Sequence, residues 1–122
     1  WEAPESPAHD VLPPLAIVPM VLEARGLDVT PATVAAFERA GDQRSAAILR
    51  RIYKDEIRHV RAGAHWFEQG CGARGLGVVA HWQRLIRSRF RGSVKPPFND
   101  SARLEAGLSR EMYAGVAGVG FA

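Results

Sequence analysis

"YKDEIRHV", residues 53–60, sets a glutamate and a histidine three places apart in the middle of a helical pattern. At about 100° per residue, the segment from Asp42 to Gly70 can be walked as one helix with Glu56 as the origin. Within about 60° of Glu56 fall Ser45, Leu49, Ile52, Tyr53, His59, Val60, Gly63 and Phe67. The opposite side carries Arg50, Arg51, Lys54, Arg58, Arg61, His65 and Glu68. Glu56 therefore lies mid-stripe on the apolar side with His59 beside it, which is not where a solvated charge goes.

The same logic extends outward in both directions. "VLPPLAIVPMVLEARG", residues 11–26, is apolar nearly all round, with Pro19 expected to kink the helix and Gly26 to stop it. Thr30 and Pro31 read as the N-cap and first position of a short helix, with Val34 and Phe37 inward, that reaches Gly41. Asp42 then caps the long helix, which ends near "QGCG". A further amphipathic helix is expected over about 76–90, with Val78, Val79, Trp82, Leu85, Ile86 and Phe90 inward. "GSVKPPFND" reads as a loop, Asn99 or Asp100 as the cap of a last helix bearing Leu104, Leu108 and Met112. Residues 1–10 read as an extended arrival segment, and "AGVAGVGFA" is too glycine-rich to assign. No strand pattern, hairpin turn or internal repeat is visible, so the fold class is all-α.

Composition narrows the setting. The 122 residues make one domain at most, and 47% hydrophobic with 24% charged residues is ordinary for a globular chain. No apolar run is long enough to span a bilayer. Cys71 is the single cysteine, which excludes an internal disulfide and fits a reducing, cytoplasmic setting. The chain begins at Trp1 without signal-peptide character, and it reads as a piece of a longer protein. Residues 69–99 hold Arg74, Arg84, Arg87, Arg89, Arg91 and Lys95 and no acid, an asymmetry that suits either a solvated face or an anionic partner.

Burying a carboxylate and an imidazole needs a partner charge, a hydrogen-bond network or a metal. Glu-x-x-His on one helix face brings both heads to one point, as in carboxylate-bridged di-iron bundles, where two helices carry that pair and two others a single Glu. Glu23 is a matching single Glu, sharing a face with Leu12, Ala16, Pro19, Met20 and Leu27. Such oxygen and nitrogen donors suit iron or manganese. A buried pair of Glu23 with Arg25 or Arg39 is the plainer alternative. Tyr53 could hydrogen-bond a ligand carboxylate, though packing suits it as well. His9 and His65 read as solvated, His81 as surface, and Trp66 and Phe67 as core. "GARGLG" follows a helix rather than a strand, so it fails as a phosphate loop.

"LEARGLDVTP", then "GD", then "DEIRHV" and "WF" together resemble domain-of-unknown-function family 455, a bacterial family of the ferritin-like superfamily. The resemblance covers most of residues 12–91. It implies the C-terminal half of a ferritin-like four-helix bundle with accessory helices, in which Glu23 is the third-helix ligand and Glu56 and His59 the fourth-helix ligands. It also implies that the half with the other Glu and the other Glu-x-x-His lies outside these 122 residues. None of Glu38, Glu105 and Glu111 is followed by a His three places on. The expected function is therefore part of a non-haem di-iron, or manganese–iron, oxidoreductase that uses dioxygen and draws electrons from a separate reductase. Its partners would be the missing half-bundle or a second copy. The alternatives are an RNA-binding or tRNA-modifying ferritin-like protein, reading phosphate through Arg84, Arg87 and Arg91, and a metal-free helical fragment.

Overall fold

A computed structural model of the chain describes residues 10–118. The all-α expectation holds: α1 (Leu12–Ile17), a π-helical segment (Val18–Glu23), α2 (Ala24–Arg39), α3 (Gln43–Ala73), α4 (Val78–Arg89), α5 (Asp100–Glu105) and α6 (Arg110–Ala114). Among the described residues the nearest approach to a strand is an isolated bridge between Val94 and Ala117. The extended segment and His9 expected before Asp10, and the last residues of the glycine-rich tail, lie outside the described residues.

The first helix does not stop at Gly26. Residues 12–39 are helical without a break, and Pro31 lies inside α2 rather than at its start. A proline in a helix leaves the carbonyl four residues earlier without its donor. Here that carbonyl, on Leu27, accepts from Asn99 Nδ2 at 3.1 Å, so a side chain 72 residues away makes good the loss. Pro19, likewise without an N–H, sits where the helix widens, and the Ala24 N–H reaches back five residues to the Pro19 carbonyl. The expected kink takes the form of this π turn. Trp82 Nε1 donates to the Ala16 carbonyl at 3.2 Å and ties α4 to it.

Asp42 caps α3 as expected, Oδ1 accepting from the Ser45 N–H at 3.0 Å. α3 runs antiparallel to the first rod at close range, and Gly63 makes this approach feasible: a methyl group there would collide with the Pro19 ring. The core lies between the rod, α3 and α4, from Leu12, Ala16, Met20 and Leu27 through Val60 and Phe67 to Trp82 and Ile86. Phe67 is buried, but Trp66 is not: at 62% exposed it corrects the reading of both as core. Leu104 is exposed too, while Leu108 and Met112 are buried. The single last helix expected there is two short ones, broken at Gly107, whose φ of 86° is left-handed.

The C-terminal elements are fastened to α2 by one buried network. Arg103 Nε and Nη2 donate to the Asp28 carboxylate at 2.9 and 2.6 Å, and the Arg103 guanidinium lies over the Phe98 and Tyr113 rings. Burial, then the hydrogen bond to Asp100, pushes the Tyr113 hydroxyl up to about 12. Asn99 joins the network, its N–H donating to Asp28 and its Nδ2 to Leu27 O and Tyr53 Oη. Its Oδ1 also caps α5 through the Ala102 N–H. Asn99→Ala removes the cap and strands two acceptors, so we expect a loss of about 2–3 kcal/mol in urea unfolding. An unchanged midpoint would refute this account of how α2 tolerates Pro31.

Candidate metal centre

The antiparallel packing of the rod on α3 decides which side chains meet. Gly70 lies against Leu12, Gly63 against Pro19, and Gly26 against the Glu56 stem. This register brings the end of the π turn level with His59. Glu23, Glu56 and His59 converge: one donor atom from each lies within 4.8 Å of the other two. Ligands on opposite sides of one ion at about 2.1 Å stand about 4.2 Å apart, so a small side-chain adjustment would let all three reach a common centre.

Glu56 is the least comfortable member. The residue is half-buried, but its Oε1 is sealed from solvent and has no hydrogen-bond partner. Burial raises the Glu56 carboxyl above its ordinary value, and the neighbouring Glu23 carboxyl pushes the same way; His59 opposes them. Two carboxyl groups and an imidazole share one space, with a buried oxygen aimed at nothing. The simpler alternative for Glu23 fails among the described residues: Arg25 instead pairs with Asp28 and donates to the Lys95 carbonyl, and no ion pair includes Glu23.

His59 departs from expectation in one respect. It is exposed rather than buried. The window of 60° around Glu56 proves to be two faces. Tyr53, Val60 and Phe67, on one side, turn toward the first helix or the core, whereas Ile52 and His59, on the other, are open to solvent. Ile48 and Trp66 continue that open strip along α3. Glu56 sits on the boundary between the covered face and the open one.

The remaining candidates are not ligands here. Tyr53 Oη accepts from Asn99 rather than reaching Glu56. His65 is exposed as expected, with its ring edge-on to Trp66. His81 is not simply a surface residue, being half-buried and stacked on Phe67 at 6.1 Å. Burial, and then Arg84, hold its imidazole below the ordinary range. Cys71 is buried, and burial raises its thiol, which leaves it a packing residue. Arg84, Arg87 and Arg91 are exposed, over a buried Trp82 and a half-buried Phe90, as the periodicity requires. Sequence reasoning named Asn99 as a cap, which it is, but missed its bonds to Leu27 and Asp28 and the pairing of Asp28 with Arg103, connections that span about seventy residues and leave no local signal. No helix among the described residues is long and apolar enough to cross a membrane.

The family described as "Protein of unknown function (DUF455)" matches residues 1–114. A Haemophilus influenzae protein described as uncharacterized is 36% identical over 110 residues, which is 90% of this chain and 38% of the relative. The chain thus spans well under half of that relative's length. No solved structure matches it.

Proposed function

The chain belongs to domain-of-unknown-function family 455, and we propose that Glu23, Glu56 and His59 bind a transition-metal ion as part of a ferritin-like, carboxylate-bridged centre of an oxygen-dependent oxidoreductase. The observation that carries this reading is the sealed, unpartnered Glu56 Oε1 beside Glu23 and His59. A buried carboxylate oxygen without a donor is costly, and a cation at the meeting point of the three heads would relieve both that cost and the repulsion between the two carboxylates. Glu23 and Glu56 offer hard oxygen donors and His59 a borderline nitrogen, a set suited to iron or manganese. Bound there with coordination positions left open, such an ion supplies dioxygen chemistry. Glu23, Glu56 and His59 would hold the ion through two carboxylates and one imidazole. The apolar core around Val60 and Met20 keeps bulk water from the inner side of the site. The outer side is open in this chain, so the remaining ligands would come from the rest of a longer protein or from a second copy, and electrons from a separate reductase.

The test is metal content and visible absorption of the protein purified with iron under anaerobic conditions. Retention of iron that is lost in Glu23→Ala and His59→Ala supports the reading. Wild-type protein that never holds more iron than those variants excludes it and leaves a metal-free helical protein.

A second reading rests on α4. Arg84, Arg87 and Arg91 are exposed, and no acid pairs with them among the described residues. Nucleic-acid phosphates are a natural counterpart for such a stripe, and a tRNA-modifying enzyme would combine both readings. Salt-dependent RNA binding should then weaken strongly when all three arginines are changed to Ala; equal binding by wild type and variant would remove this reading.

A further inference from the structure

The π turn that carries Glu23 has a second side. Away from α3, it helps wall a cleft of about 560 Å³ between the rod, α4 and the loop that follows α4. That volume is within the usual range for small-molecule sites, about 300–1,000 Å³. Leu22 and Phe90 are its accessible apolar side chains, with Met20, Trp82 and Val94 buried behind them, and Arg25 and Lys95 add positive charge.

The charge is not balanced within the cleft. No acidic side chain lines it. Arg103 also borders it, but that guanidinium is buried and spent on Asp28. Arg25 stands 3.7 Å from the same Asp28, whose two oxygens are already engaged by Arg103. The one hydrogen bond of Arg25 to the loop, Nη1 to the Lys95 carbonyl at 2.8 Å, fixes its head while leaving further N–H donors, since a guanidinium carries five. Lys95 is exposed and has no ion pair among the described residues. Arg25 is thus fixed against the Lys95 backbone, and both residues line a trough whose accessible apolar side chains are Leu22 and Phe90. π-helical turns are rare and concentrate at functional sites, and this one contributes Met20 and Val21 to the wall.

We propose that this cleft binds a small amphiphilic anion, its carboxylate or phosphate on Arg25 and Lys95 and its apolar body against Leu22 and Phe90. An anionic head alone would find better-exposed arginines elsewhere on the surface, and an apolar body alone would gain nothing from the paired cations. The combination selects a ligand with both parts. The site stands whether or not Glu23 holds a metal.

Isothermal titration with octanoate, octyl phosphate and 1-octanol tests this directly. Both anions should bind saturably, one per chain, and octanol about tenfold more weakly or not measurably, because it lacks the charge that Arg25 and Lys95 would pair with. The tighter of the two anions identifies the head group. Lys95→Glu reverses an exposed charge whose side chain makes no contact needed for folding, and it should weaken both anions about tenfold. Ser93→Trp, at the half-buried edge of the cleft, should abolish binding by filling it. Octanol binding as tightly as octanoate, anion affinity unchanged in Lys95→Glu, or no saturable binding of either anion would each overturn the proposal. The charge variant decides the matter even if the tryptophan variant folds poorly.

Discussion

Replacing Glu56 by Gln is expected to abolish metal retention and, in the same protein without metal, to raise the melting temperature. The first effect follows from removing an anionic oxygen from a site with three protein donors: an affinity loss of about a hundredfold or more, since a direct ligand should matter at least as much as the outer partners that cost 10–100-fold. The second follows from the sign of the Glu56 shift. Its carboxyl is raised in the folded state, by burial first and by Glu23 next. A raised group favours folding only while protonated, so its contribution is fully present below the unfolded value of about 4.5 and is lost as pH rises through the folded value. At pH 7 the ionised Glu56 opposes folding, and the neutral amide does not. A gain of about 1 kcal/mol, or several degrees, is expected at pH 7, shrinking to nothing below pH 4.5. Differential scanning calorimetry of both proteins at several pH values, after chelation, measures the difference. A variant less stable than wild type at pH 7 would mean that Glu56 is satisfied in the native state, and the reason for placing a cation beside it would disappear. Stability surrendered at a site is what a binding function leaves behind.

What could be read from the sequence was whatever has a short range. The Asp42 cap, the length of α3 and the inward set on α4 are written in neighbours three or four places apart, and all were legible. The pairing of Glu23 with Glu56 and His59 was legible for a related reason: isolated acids on apolar faces are conspicuous, and two antiparallel helices bring them level. Thr30 and Pro31 misled because the donor that replaces the missing Pro31 N–H belongs to Asn99, and nothing near residue 31 announces it. Trp66 and Ile52 misled for a different reason. An apolar side chain is written the same way whether its cover is present or not, so periodicity merged two faces of α3 into one. With Glu56 as origin, Val60, Ala64, Phe67 and Cys71 centre about 50° to one side, and Ile48, Ile52, His59 and Trp66 about 65° to the other. Only the first group is covered. The position of Glu56 between them is the clearest sign that the site has an inner wall and lacks an outer one.

That open strip is the basis of the second large expectation: the 122-residue chain should associate, and its metal content should depend on association. Ile52 at 51% and Trp66 at 62% exposure lie with Ile48 and His59 along this face of α3. Three large apolar side chains along one open face of α3 are more than a scatter of surface residues, and such patches mark surfaces that are covered in use. The donors follow the same arithmetic. One chain brings two carboxylates and one imidazole to the site, whereas a four-helix two-metal site uses four Glu and two His. A two-fold pairing of this strip with its copy would supply that full set, because symmetry doubles every ligand; in a longer protein, an equivalent pair of helices would do the same within one chain. Ile48→Glu with Ile52→Glu, changing neither Glu23, Glu56 nor His59, should therefore convert associated protein to monomer and reduce bound iron from about one per chain to near zero. Analytical ultracentrifugation read together with iron content decides it. Three donors on an open face can hold one ion weakly with water completing its shell, but a second ion would be left almost without protein contacts. A stable monomer of the wild-type chain holding two irons per molecule would show that the strip is ordinary surface and that the site is whole as it stands.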